Sequence, residues 1–198
     1  MTYTYKLTEE ISRWAFEIHV KNKKSWWIAF TNPTAGPWKR IESFDKNKNK
    51  GEVYRFDRDE KRPDIVIVND ALESIIIFEA KDTLEKLKVE SQTAKSCLVI
   101  NDMAETLVSM KDNPFWGDRH SYKIFNGLLW GSSTPSSTPS IDEAFQVYSN
   151  ELKKINSIVD TVIQVGIEST KNNSGLITLN YHTNSSSKNA KEIIQTLK

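Results

Sequence analysis

The chain has little of what most familiar sites are built from. Cysteine occurs once in 198 residues, at Cys97, so no internal disulfide can form and no cysteine pair offers zinc-ligand spacing. His19, His120 and His182 lie far apart, which leaves no zinc motif to the histidines either. Neither charge sign dominates: 27 Lys and Arg against 26 Asp and Glu leave a formal net charge of +1. There is thus no global basic signal for nucleic acid, which argues against a non-specific polyanion binder and leaves room for an enzyme with a locally basic cleft. No apolar run reaches membrane-spanning length, and Met1 to Lys6 lacks the apolar core of a signal peptide. With the single cysteine, this reads as a cytoplasmic protein that needs no membrane. There is no Gly-rich phosphate loop, no nucleophile elbow and no solenoid repeat. A chain of this length buries one core, so a single domain over 1–198 is expected.

What is present is concentrated in one stretch. Arg62-Pro63-Asp64-Ile65-Val66-Ile67-Val68-Asn69 is followed, after a short turn, by Ser74-Ile75-Ile76-Ile77-Phe78-Glu79-Ala80-Lys81. Each half holds an apolar run of strand length, rich in Ile and Val, and the two predict an antiparallel hairpin. If Asn69 pairs with Ser74, Asp64 falls opposite Glu79, and Lys81 shares that face because side chains alternate along a strand. The runs do not alternate in polarity, so the strands are expected to be covered on both faces. Ionised groups at the end of such strands are costly unless paired or bound to a cation. A hard divalent ion relieves two neighbouring carboxylates, and Mg²⁺ suits one or two carboxylates completed by waters and phosphate oxygens. The chemistry these residue types predict is phosphodiester hydrolysis, with Lys81 holding or helping to deprotonate the attacking water.

Pro63-Asp64, a gap of about fifteen residues, and Glu79-Ala80-Lys81 together resemble the PD-(D/E)xK signature of type II restriction endonucleases. The resemblance covers about a tenth of the chain. It implies an α/β fold with a mixed sheet, a restriction-endonuclease-like αβββαβ core, here with an extra C-terminal helix and strands. It also implies Asp64 and Glu79 as ligands of Mg²⁺, Lys81 as the catalytic lysine, and an assisting glutamate from the helix before the sheet. Glu10 and Glu17 both qualify for that last role, with Glu10 preferred. The implied activity is sequence-specific cleavage of double-stranded DNA, by a homodimer or by a catalytic subunit with a recognition partner. A repair or recombination nuclease or an RNase on the same fold stays open. So does a non-catalytic nucleic-acid or protein-binding module.

Around that hairpin the remaining elements read in order. Thr8-Glu9-Glu10 opens a helix whose apolar face is Ile11, Trp14, Ala15 and Ile18. Ser25 to Phe30 reads as a strand. Residues 31–61, mixing Lys, Arg, Trp and Tyr in a loop-rich segment, are the expected DNA-contact region, with a second hairpin around Lys46 to Lys50. A helix is expected from Asp82 and another face at Met103, Leu107 and Met110, then a strand over Tyr122 to Trp130. Residues 131–140, with Ser-Ser-Thr-Pro repeated, read as a flexible loop. Ile141 begins a helix whose apolar spacing runs to Val159. Two closing strands, Thr161 to Glu168 and Leu176 to Tyr181, and a helix from Lys188 complete the chain.

Overall fold

The two apolar runs become neighbouring central strands, and a six-stranded sheet forms around them. In the computed structural model, residues 8–31, 40–42, 53–55, 64–87, 121–131, 140–154, 158–169 and 175–198 are described. The first helix, α1 (Glu9–Lys21), is capped by the Thr8 side chain, which accepts the Ile11 N–H at 3.3 Å. It leads to β1 (Trp27–Thr31). Two short strands, β2 (Arg40–Glu42) and β3 (Val53–Arg55), pair with each other as the expected second hairpin.

The central pair is β4 (Ile65–Asn69) and β5 (Ser74–Lys81), every residue of which is buried. They are followed by β6 (Lys123–Gly131), α2 (Ile141–Lys153), β7 (Thr161–Ser169), β8 (Gly175–Thr183) and α3 (Lys188–Leu197). The sheet order is β1-β4-β5-β6-β7-β8. β1, β4 and β5 form an antiparallel meander, β5, β6 and β7 run parallel, and β8 returns antiparallel to β7. The described residues are thus mixed α/β, with three α-helices on a six-stranded mixed sheet.

Both faces of the sheet are covered, as uniform burial of β4 and β5 requires. On one face α1 and α3 place Phe16, Val20, Ile193, Ile194 and Leu197 against Ile65, Ile67, Ile76 and Phe78. On the other, α2 contributes Ala144, Tyr148 and Leu152, packed with Leu87, Leu128, Trp130 and Val162. No helix among the described residues is long and apolar enough to cross a membrane.

Three expectations change in detail. The sheet-facing stripe of α1 is Ser12, Ala15, Phe16 and Val20, while Ile11 and Trp14 are 36% and 57% exposed. Apolar spacing alone put the face one residue out of phase, because the helix buries the small polar Ser12 and leaves the large apolar Trp14 exposed. After Lys81 only a single 3₁₀ turn, Glu85–Leu87, is described in place of the start of a helix. α2 ends with a cap at Lys154, short of Val159, because the chain must already be extended to enter β7 at Thr161. The expected elements over 88–120, the flexible loop over 132–139 and most of the DNA-contact segment fall outside the described residues.

Candidate active site

The hairpin has the register that its residues predict. Asn69 pairs with Ser74, and the ladder runs to Ile65 opposite Phe78. One step further, Asp64 reaches the level of the Glu79-Ala80-Lys81 triplet. Its backbone N–H donates to the Phe78 carbonyl at 3.0 Å. Its side-chain Oδ2 accepts the Ala80 N–H at 2.7 Å. The carboxylate is therefore fastened to the backbone of the neighbouring strand between Glu79 and Lys81.

Glu79 and Lys81 point to one face because they are two apart on β5, and both are buried. Lys81 Nζ donates to Glu79 Oε1 at 2.5 Å and to the Ala80 carbonyl at 3.1 Å. The parallel register sets Leu128 beside Glu79 and Trp130 beside Lys81. Two residues of the apolar cluster under α2 thus wall the charged pair.

Burial pushes the Asp64 carboxyl above its ordinary range. Lys81 and the Ala80 hydrogen bond pull it back, the Glu9 charge pushes the same way as burial, and Arg13 opposes it. For Lys81 burial works toward neutrality, but Glu79 and Asp64 outweigh it and hold the ammonium above its ordinary value. Lys81 is thus a protonated cation in this state, seated between two acids.

The helix acid whose charge reaches both Asp64 and Lys81 is Glu9. Glu10, the preferred choice from sequence, is exposed. Adjacent helix positions differ by about 100° in direction, which separates the two. Glu17 is engaged elsewhere: the Thr31 hydroxyl of β1 donates to its Oε1, and Arg13 Nε lies 3.6 Å away. Glu9 and Arg13 are the residues that the sequence reading passed over. Their i,i+4 spacing on the stripe of Ser12 and Phe16 is the signal that could have found them.

Among the described residues no group of three or more His, Cys, Asp or Glu converges as a metal cage. The donor set on offer, carboxylate oxygens of Asp64 and Glu79, fits Mg²⁺, which takes few protein ligands, and fits poorly with Zn²⁺ or a Ca²⁺ site. Two of the histidines have other partners, His19 at the Leu197 carbonyl and His182 at Asp142. Asp70 accepts from Trp27 Nε1 and from the Tyr122 hydroxyl, each at 3.0 Å, and so belongs to the turn. No family model, no curated protein and no solved structure matches the chain.

Proposed function

We propose that the chain is a Mg²⁺-dependent endonuclease of the PD-(D/E)xK type, cutting double-stranded DNA as type II restriction enzymes do. The observation that carries this reading is the junction at the hairpin end. One acid is hydrogen-bonded across the strands to the backbone of an acid-Ala-Lys triplet, whose own acid and lysine are paired and buried. The topology supports it too: a helix, a three-stranded antiparallel meander, then a strand added parallel to the triplet strand.

Asp64 and Glu79 are the residues that would hold Mg²⁺, which supplies Lewis-acid polarisation of a phosphoryl oxygen and acidifies water. Asp64 offers Oδ1 for this, since Ala80 occupies Oδ2. Lys81 has three N–H donors, of which two go to Glu79 and the Ala80 carbonyl. The third is available to hold the attacking water or the charge that develops on the phosphoryl group. In the metal-free chain the charges of Glu79 and Asp64 hold Lys81 protonated, the form in which it donates. Glu9, at the first turn of α1, adds negative charge to the same junction.

Cleavage of a long mixed-sequence duplex tests the reading, with Mg²⁺, with EDTA, and with Lys81→Ala. Discrete bands that vanish in EDTA and in the variant would establish a sequence-specific enzyme and yield its site. A metal-dependent smear would keep the site and replace restriction with non-specific cleavage. No cleavage, together with no Mg²⁺ binding that depends on Asp64 and Glu79, sinks the catalytic reading in favour of a binding module.

A further inference from the structure

Arg13 lies on the covered side of α1, its side chain only 12% exposed. Burying a guanidinium is costly unless acceptors meet its donors. Among the described residues, Arg13 Nε and Nη1 are both buried and donate to nothing. The acid paired with it is Glu17, one turn along the helix, whose Oε1 stands 3.6 Å from Nε. That separation gives charge compensation but is too long for a hydrogen bond. The same Oε1 already accepts the Thr31 hydroxyl of β1. Glu17 thus steadies the guanidinium and leaves its donors unmet.

Where those donors sit decides what they are for. The Arg13 charge reaches Asp64, where it opposes the upward push of burial. A second cation, carried by the helix and not by the sheet, therefore serves the junction of Asp64, Glu79 and Lys81. The acids there are already engaged, Asp64 with the Ala80 N–H and Glu79 with Lys81. What Arg13 lacks is an oxygen acceptor brought to the junction from outside. A planar fork of N–H donors suits a phosphate group, whose non-bridging oxygens accept them in pairs. A guanine edge also accepts from arginine, but at a hydrolytic metal junction the backbone, and not a base edge, must lie. Donors left orphaned in the free protein gain their hydrogen bonds only in that complex.

We infer that Arg13 is a phosphate-binding residue of this site, its guanidinium donating to a non-bridging oxygen of the DNA phosphodiester that Asp64, Glu79 and Lys81 address. The inference rests on the nuclease reading and adds to it a contact from α1. It divides the work of the two cations. Lys81, tied to Glu79, serves the reacting atoms, while Arg13 holds the phosphodiester in place for them.

Duplex binding, followed by fluorescence anisotropy over a monovalent-salt series, tests it. Ca²⁺ replaces Mg²⁺ there, since it takes the same oxygen ligands in a looser geometry. Arg13→Gln should bind at least about tenfold more weakly than the natural chain. Its plot of log affinity against log salt should be shallower by about one. Arg13→Lys should keep the slope, having the charge, and recover only part of the affinity, lacking the fork. Mg²⁺ titration without DNA separates this contact from a general loosening of the site. Arg13→Gln should bind the ion at least as well as the natural chain, because it removes a cation from beside Asp64. Undiminished duplex binding, an unchanged slope, or a matching loss of Mg²⁺ binding would overturn the role of Arg13 and leave the nuclease reading standing. If Arg13→Gln does not fold, Arg13→Lys decides: affinity equal to the natural chain's would overturn the role, and a partial loss with intact Mg²⁺ binding would support it. A natural chain that neither binds nor cuts duplex DNA would overturn both.

Discussion

The Asp64 carboxylate accepts the backbone N–H of Ala80 at 2.7 Å, which ties the start of β4 to the middle of the acid-Ala-Lys triplet. The bond fixes where the carboxylate stands, and burial makes its charge costly there. Asp64→Asn keeps an acceptor for Ala80 while removing that charge. The metal-free variant should melt at or above the natural chain at neutral pH, yet bind no Mg²⁺ and cleave no DNA. Calorimetric Mg²⁺ titration beside a thermal melt checks both halves, and undiminished Mg²⁺ binding would contradict the assignment. A site residue whose removal stabilises the fold is kept for chemistry, not for folding.

The Glu79–Lys81 pair makes a different prediction. Lys81→Met preserves most of the side-chain volume but takes the ammonium away from a buried carboxylate. Breaking a buried pair from one side costs about 3 kcal/mol or more, whereas replacing both members by neutral groups costs far less. Urea unfolding should therefore show a marked loss for Lys81→Met and substantial recovery for Lys81→Met with Glu79→Gln. Both proteins should be inactive. If the double variant is no more stable than the single one, the pair is not coupled as described.

The central hairpin was legible in the sequence for a physical reason. Runs such as Ile75 to Phe78 are of strand length, and turn residues at Asn69 and Ser74 leave little freedom of register. Position of the acids then follows from counting. The phase of α1 was not legible, because periodicity counts apolar residues and this helix buries Ser12 while exposing Trp14. Glu9 was hidden for a related reason: an acid in a first turn is an ordinary partner for the helix dipole, and only packing reveals that its charge reaches Asp64. The end of α2 was missed since apolar spacing continues to Val159, where the demand for an extended entry into β7 overrides it.

Gly127 has a packing role that a substitution would expose. It lies opposite Phe78 in the parallel register of β5 and β6. A Cβ there would stand 2.3 Å from Phe78 Cε1 and 2.4 Å from Cδ1. The Phe78 ring is fully buried and braced edge-on by Phe16, with centroids 5.0 Å apart, so it has no room to yield. Gly127→Ala should cost about 1–3 kcal/mol by overpacking. Adding Phe78→Leu should return part of that loss, and a double-mutant cycle measures the coupling. Additive effects would mean that the ring does not fill the place of the missing Cβ.

Tyr181 predicts how the fold fails in alkali. Its hydroxyl donates to the Leu197 carbonyl at 3.2 Å, joining β8 to the end of α3. Burial raises the phenol from 10.0 to about 12. Between those values the unfolded chain loses this proton while the folded chain keeps it, so the folded state binds more protons and stability falls as pH rises. The contribution is fully present below pH 10.0 and is lost as pH climbs through about 12. Tyr181→Phe should cost about 1 kcal/mol near neutrality through the lost hydrogen bond. In exchange it should flatten the alkaline decline, so that the two unfolding curves converge at high pH. Denaturant titrations at about pH 9 and about pH 11, on either side of the ordinary tyrosine range, check this. Equal declines in the two proteins would show that other groups drive the alkaline loss.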